Sequence, residues 1–217
     1  MTQANAPTPP AWRSAAFQAT LDAVLRTPRL TLEPLAQRHA DELWQPLADP
    51  RLYTYIPQDP PASLAALRER FVLLSTRRSP VGDQLWLNWV LRTTHDGQCR
   101  GRVQATVNTD ARAWIAYEVF PPHWGRGYAS EGCRRMIEWL IDTLGVRQLA
   151  AEVDSQNSAS LRLLDRLGFQ RVSLREAADE FKGRVSDEWT LRLDAESFER
   201  DRALQPPPAG TPASGDR

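Results

Sequence analysis

Hydrophobic residues in the first half of the chain follow two different periods. Leu30 and Leu32 alternate with polar neighbours, which predicts a half-buried strand over residues 29–34. Apolar residues at helical spacing predict three helices, over residues 12–26, 37–47 and 63–76. Three further strands are predicted, over residues 85–92, 101–107 and 113–120. A turn with the sequence His-Asp-Gly-Gln separates the first two of these strands, so we expect them to pair as a hairpin.

The second half predicts strands and helices in alternation. A glycine-containing turn follows residue 120, and then apolar residues recur at helical spacing from Cys133 to Leu144. Residues 149–154 predict another strand, and a helix opens near Asn157. That helix is expected to stop at Gly168, a good residue for a helix C-terminus, and Phe169 begins the next predicted strand.

The composition is that of one globular domain with extensions. The chain has 217 residues, of which 41% are hydrophobic and 25% charged, which excludes wholesale disorder and collagen-like structure. Both ends are rich in Pro, Ala, Gly, Ser and Thr. We therefore expect a flexible N-terminus with a short helix over residues 1–27, a folded domain over residues 28–194, and a short helix with a disordered Pro-rich tail over residues 195–217.

Charge and targeting signals exclude several classes of partner. Acidic and basic residues balance at 27 each, so no electrostatic footprint for nucleic acid or a membrane surface is expected. Lys182 is the only lysine, which we attribute to a GC-rich genome. The first residues lack a signal-peptide pattern and no apolar run approaches the roughly 18 residues of a membrane span, so we expect a cytoplasmic protein.

The glycine turn at residues 125–127 is the first candidate binding site. Gly125 and Gly127 permit a close approach of backbone to ligand, and the following helix would aim its first N–H groups at that ligand. This arrangement is typical of a phosphate site, although Gly-x-Gly before a helix also occurs without a ligand. A nicotinamide dinucleotide site is excluded because the turn continues with Tyr128 and Ala129 and lacks the third glycine.

Three phrases, TPRLTLEPL, HWGRGYASE and NSASLRLLDRLGF, occur in this order between residues 27 and 169. At these residues the chain resembles the GNAT superfamily of acetyl-CoA-dependent N-acyltransferases, in particular the RimJ/RimL-type branch of ribosomal-protein N-terminal acetyltransferases. The resemblance covers about three quarters of the chain. It implies an α/β (α+β) fold with a mixed, mostly antiparallel sheet flanked by helices. The sheet would splay between the strand ending near Phe120 and the strand at residues 149–154, and the gap would hold the pantetheine arm of the cofactor.

The resemblance also implies which residues bind acetyl-CoA, with two departures from the usual pattern. The position where many relatives have Gln or Arg at the start of the phosphate loop is Trp124, and Arg126 is a candidate replacement donor. The position of a frequent catalytic tyrosine is Leu164, and this branch is thought to use Ser160 instead. The expected cofactor-binding residues are Val119, Phe120, Trp124, Gly125, Arg126, Gly127, Tyr128, Ala129 and Asn157.

The reaction implied by the resemblance needs a base and a proton donor. An attacking amine must be neutral, whereas an α-amino group has a pKa of about 7.7–8.0 and a lysine about 10.4. Glu118 is the candidate base, acting directly or through water, or else it is a solvated or cross-strand carboxylate. Backbone N–H groups near Val119 and Phe120 would stabilise the oxyanion. Ser160, or a water held by Asn157, would protonate the thiolate; otherwise these two residues only cap a helix.

Two functional classes remain open at this stage. The first is an acetyl-CoA-dependent N-acetyltransferase acting on a protein N-terminus or a small amine, as a monomer or homodimer. The second is a non-catalytic acyl-CoA-binding sensor, because the usual tyrosine is absent. No metal site is expected, since the three histidines are scattered and each is predicted to lie on the surface or in a loop. Cys133 shares a helix face with apolar residues, which argues against a covalent acyl intermediate on its thiol.

Overall fold

The protein is described here by a computed structural model covering residues 15–204, in which eight strands and six α-helices are found. The strands are β1 (Leu25–Arg26), β2 (Leu30–Pro34), β3 (Gln84–Thr93), β4 (Cys99–Asn108), β5 (Arg112–Val119), β6 (Gln148–Asp154), β7 (Gln170–Phe181) and β8 (Arg184–Asp194). The helices are α1 (Ala15–Leu21), α2 (His39–Leu47), α3 (Leu64–Ser75), α4 (Tyr128–Leu144), α5 (Ser158–Arg166) and α6 (Ala195–Leu204).

The strands form one sheet in the order β1-β2-β3-β4-β5-β6-β8-β7. Every neighbouring pair is antiparallel except β5 and β6, which are parallel. These two strands pair only over Arg112–Trp114 and Gln148–Ala150 and then separate. The mixed, mostly antiparallel sheet and its splay between the two central strands are therefore as predicted.

Two apolar clusters cover opposite faces of the sheet. The larger one joins α4 and α5 to the sheet and includes Met136, Leu140 and Leu164, each with no exposed surface. The smaller one packs α2 and α3 on the other face around Phe71 and Val90. Because side chains alternate along a strand, each strand between these layers presents successive residues to different clusters.

Local signals set the ends of the helices next to the gap. The α4 helix is bounded by two left-handed glycines, Gly127 at its start and Gly145 at its end. The α5 helix begins with Asn157, whose side-chain oxygen accepts a hydrogen bond from the N–H of Ser160 at 3.1 Å. Gly168, at φ +92°, follows that helix as predicted.

The first predicted helix is shorter than expected. Residues 15–21 are helical, but Leu25 and Arg26 form β1 and pair with Leu32 and Thr31 of β2. Pairing buries Leu25 in the larger cluster, and this tertiary contact overrides the helical spacing of the sequence. Residues 12–14 of the predicted helix and both predicted tails beyond residues 15–204 lie outside the described part of the chain.

The prediction of a surface position for His39 is wrong. Only 3% of this residue is exposed, because it begins α2 and turns towards the sheet. Its Nδ1 accepts a hydrogen bond from the N–H of Ala36 at 3.0 Å, and its Nε2 lies 3.3 Å from the carboxylate of Glu33. Burial, helped by the charge of Arg38, lowers the pKa of His39 despite this carboxylate.

Candidate active site

The gap between β5 and β6 exposes backbone groups of β5. Phe120 donates its N–H to the carbonyl of Arg100 on the β4 side, at 2.8 Å. Opposite residues in an antiparallel pair alternate between bonded and non-bonded positions, so Val119, opposite Gly101, turns its N–H and carbonyl towards the gap. Of the two N–H groups expected to stabilise an oxyanion, that of Val119 faces the gap, whereas that of Phe120 is used within the sheet.

The predicted phosphate loop, residues 124–129, leads from β5 into α4. Gly125 and Gly127 have φ values of +73° and +80°, which residues with a side chain seldom adopt. The bond from the N–H of Glu131 to the carbonyl of Gly127 opens the hydrogen-bond ladder of α4. Gly127 has no side chain to cap the N–H groups that follow it, so the first turn of a 17-residue helix presents unpaired donors at an exposed loop.

Trp124 uses both of its donors inside the protein. Its backbone N–H bonds to Pro121 at 3.3 Å, and its indole Nε1 bonds to the carbonyl of Val119 at 2.5 Å. The side chain remains half exposed beside the gap. Any hydrogen bonds that this loop donates to a phosphate would therefore come from residues 125–129 and not from Trp124.

Arg29, which the sequence did not single out, lies against the phosphate loop. Its Nε donates to the carboxylate of Glu131 at 2.6 Å, and its Nη1 donates to the carbonyl of Arg126 at 3.0 Å. Its guanidinium lies 5.1 Å from the ring centroid of Tyr128. The entrance to β2 thus contacts the start of α4 through one arginine.

Glu118 lies on β5 opposite Arg102 of β4, and the two side chains form an ion pair with Nε and Oε1 2.6 Å apart. The cross-strand arrangement considered from the sequence is present, and each side chain keeps about a fifth of its surface exposed. Tyr53 lies in the same electrostatic neighbourhood. Burial, and next the charge of Glu118, raises the pKa of Tyr53 to about 12, so the phenol stays protonated at neutral pH.

The first turn of α5 reaches the other face of β5. Tyr117 donates its hydroxyl to the backbone carbonyl of Ser160 at 3.2 Å. Glu118 follows Tyr117 directly, so the two side chains lie on opposite faces of the sheet. Asn157 caps α5 with its side-chain oxygen, which leaves its amide nitrogen for any contact with a ligand. Leu164, at the position of the frequent tyrosine, is fully buried.

A cleft of about 300 Å³ lies on the Glu118 face of the sheet. Its walls come from α3, from the segment after α2 and from β4, and they include Tyr53, Phe71, Arg102 and Gln104. The opening therefore lies beside the Arg102–Glu118 pair. A substrate entering here would approach the carboxylate from the side opposite to α5.

The tip of the β7–β8 hairpin is bound to the segment over residues 53–59. The Nζ of Lys182 donates to three backbone carbonyls, those of Tyr53, Ile56 and Gln58, at 2.9, 2.7 and 2.9 Å. Arg184 adds a bond to Thr54 and an ion pair with Asp154 at the end of β6. These side chains connect the hairpin to the segment after α2, and Arg184 also connects it to the end of β6.

The cysteine thiols are poorly suited to nucleophilic catalysis. Burial raises the pKa of the Cys99 thiol to about 12 and raises that of Cys133 strongly, which disfavours the reactive thiolate. Within residues 15–204, no group of three or more His, Cys, Asp or Glu side chains stands close enough to hold a metal ion. In the same residues no helix is long and apolar enough to span a membrane.

The sequence indicated candidate site residues but not the side chains that contact them. Arg102 lies opposite Glu118 in the β4–β5 pair, a register that was not predicted from the sequence. Arg29 and Lys182 gave no signal either, since their side-chain contacts lie 97 or more positions away in the sequence. Their positions depend on the tertiary fold.

Comparisons with known proteins bear on the family and the fold of the chain. The family described as acetyltransferase (GNAT) domain matches residues 29–170. The chain is 29% identical over 171 residues to a protein of Bacillus licheniformis named uncharacterized N-acetyltransferase p20, covering 78% of this chain and 94% of that protein. Among solved structures, the ribosomal-protein-S5-alanine acetyltransferase of Vibrio fischeri superposes with a TM-score of 0.71 at 14% identity, covering 82% and 99% of the chains. Mycobacterium smegmatis RimJ, in complex with CoA-disulfide, gives 0.70 at 20% identity, covering 81% and 88%.

Proposed function

The chain belongs to the GNAT acetyltransferase domain family and is an acyltransferase, and from this premise we propose that it transfers an acetyl group from acetyl-CoA to a primary amine. The acceptor is a protein N-terminus or a small amine, which attacks the thioester directly. The observation that carries the proposal is the splayed β5–β6 gap, with unpaired helix donors at one end and Glu118 beside it. A protein amine is supported by the names of the structural neighbours, which include a ribosomal-protein acetyltransferase.

Acetyl-CoA fits the gap by the chemistry of its lining. The N–H groups of residues 125–129 would bind the pyrophosphate, since a helix N-terminus favours an anion and glycine leaves it room. The N–H of Val119 faces the gap and would contact the thioester carbonyl, while its own carbonyl oxygen accepts the indole N–H of Trp124. Tyr128 and Ala129 begin the helix, and Arg126 and the amide of Asn157 are further donors. Of the remaining expected contacts, the half-exposed Trp124 would contribute apolar surface, whereas Phe120 is buried in the smaller cluster.

Glu118 acts as the base in this proposal. A protonated amine in the cleft loses a proton to the carboxylate, directly or through one water, and the neutral nitrogen attacks the thioester carbon. Arg102 holds the carboxylate in place through its Nε and fixes its orientation. The N–H of Val119 donates to the oxyanion that develops on the carbonyl oxygen.

The departing sulfur is protonated from the α5 side. The nitrogen loses its second proton as the tetrahedral species collapses, and Ser160, or a water held by Asn157, passes a proton to the sulfur and regains one from this nitrogen. Thiols have a pKa near 8.5, so a thiolate leaves with little assistance and this step contributes less than amine deprotonation. Cytoplasmic location and a monomeric or homodimeric state stay predictions from the sequence.

The test compares Glu118→Gln with Ser160→Ala. We expect Glu118→Gln to lower kcat/KM by about 10²–10⁴ at pH 7 with the Kd for CoA nearly unchanged, and to recover partly as pH rises and the amine becomes neutral unaided. Ser160→Ala should cost clearly less. Glu138→Gln is the matched control, because Glu138 on α4 is also paired with an arginine and is about equally exposed.

The assay measures thiol release from acetyl-CoA with a panel of peptides and small amines, and CoA binding by calorimetry. A wild-type rate in Glu118→Gln at pH 7 would move the base elsewhere. A larger loss in Ser160→Ala than in Glu118→Gln would make protonation of the sulfur limiting. CoA binding without turnover on any amine would instead favour the sensor.

A further inference from the structure

The start of α4 carries an acidic residue in the place where a phosphate is expected to bind. Glu131 lies in the first turn of this helix, and only 17% of its side chain is exposed. A carboxylate there stabilises the helix dipole. The same negative charge repels a phosphate approaching the same end of the helix.

Hydrogen bonds and an ion pair compensate the negative charge of Glu131. Glu131 accepts hydrogen bonds from the hydroxyl of Thr27 at 2.5 Å, from the backbone N–H of Arg29 at 3.0 Å and from the Nε of Arg29 at 2.6 Å. All three donors come from the turn between β1 and β2. The carboxylate therefore accepts three hydrogen bonds and is paired with a cation.

Arg29 extends from this pair to the loop itself. A Cβ at Gly127 would lie 3.2 Å from its Nη2, so the guanidinium touches the last residue before α4. Its Nη1 bonds to the carbonyl of Arg126, and about half of the side chain is exposed. A positive charge thus lies beside the donors of the phosphate loop, where the negative charge of Glu131 would otherwise be uncompensated.

We propose that Arg29 is a positioning residue for the cofactor, which neutralises Glu131 and so keeps the N-terminus of α4 receptive to the phosphates of CoA. This inference rests on the proposed function, because it assumes that the loop binds CoA. It adds a residue outside the loop and assigns the ion pair a role in affinity. The β1–β2 turn then becomes part of the cofactor site.

A double-mutant cycle tests the proposal by calorimetry with CoA. Arg29→Met should weaken CoA binding by at least about 10-fold, because an unpaired carboxylate then faces the phosphates. Glu131→Gln alone should bind CoA no more weakly than the wild type, since glutamine still accepts from Thr27. The double variant should return to within about threefold of the wild type.

Two controls separate this effect from misfolding and from net charge. Arg26→Met removes the same charge from the exposed neighbouring strand β1 and should leave CoA affinity unchanged. Thermal unfolding of the free variants shows that each is folded. The deficit of Arg29→Met should also shrink in 0.5 M salt, where charge repulsion is screened.

The outcomes are distinct. If Arg29→Met binds CoA like Arg26→Met, or if the double variant stays as weak as Arg29→Met, the ion pair does not control affinity and the inference is overturned. A wild-type protein that does not bind CoA at all would overturn the proposed function itself.

Discussion

Replacing Gly127 by alanine separates the conformational role of this glycine from its role at a ligand site. The residue has φ +80°, where a side chain costs about 1–2 kcal/mol. The added Cβ would also lie 3.2 Å from the Nη2 of Arg29. That contact is tight, and the guanidinium cannot move freely because it is bonded to Glu131 and to the carbonyl of Arg126. Gly127→Ala should therefore shift the loop or break one of these bonds.

Gly145→Ala provides the matched comparison. Gly145 ends the same helix at φ +66°, and a Cβ there would meet nothing within 4 Å. Both variants should lose about 1–2 kcal/mol of unfolding free energy from the backbone alone. For a domain of this size each kcal/mol lowers Tm by about 2–4 °C. Gly127→Ala should in addition weaken CoA binding by at least about 10-fold, whereas Gly145→Ala should leave it unchanged.

The assay is calorimetric titration with CoA beside thermal unfolding of the free proteins. Equal CoA affinity in the two variants, with Gly127→Ala folded, would refute the reasoning that the N-terminus of α4 receives the phosphates. A Tm of Gly127→Ala equal to that of Gly145→Ala would show that the contact with Arg29 relaxes at no cost.

Two other features give sharp expectations. Lys182→Met should accelerate amide hydrogen exchange over residues 53–59 and raise KM for the acceptor more than KM for acetyl-CoA. The control Arg171→Met, on the same hairpin, should have neither effect. Unchanged exchange in Lys182→Met would show that the three carbonyl contacts do not hold the segment. The lowered pKa of His39 means that this histidine binds a proton more readily in the unfolded chain, so the unfolding free energy should fall as pH drops below about 6.5. His39→Asn should reduce this pH dependence in urea unfolding between pH 5 and 8. An equal dependence of unfolding free energy on pH in the variant and the wild type would contradict the assignment.

The periodic elements near the gap could be read from the sequence because local and tertiary preferences agree there. The α4 helix has one continuous apolar face and glycine at both ends, and α5 has an asparagine cap and a terminal glycine. The predicted hairpin is present as the antiparallel pair of β3 and β4. Such features need only a few neighbouring residues.

The failures have the opposite origin. Leu25 joins a strand because β2 offers a partner edge, and His39 is buried because the sheet lies beneath the start of α2. Neither fact is encoded within a window of ten residues. Arg29 and Lys182 likewise contact segments that are distant in the sequence and are brought close by the fold, so no residue spacing indicates their contacts.

The register of β5 has a chemical consequence. Tyr117 and Glu118 are neighbours, so the strand sends one side chain to α5 and the next to the cleft beside α3. A slip of one residue would exchange these faces, burying the carboxylate under α5 and removing it from Arg102. The base and the proton donor proposed here therefore stay apart because the strand is pleated. Because of the same pleat, the base reaches the amine from one face of the sheet and the proton donor reaches the departing sulfur from the other. The splayed gap permits this arrangement, whereas a continuous sheet would block it.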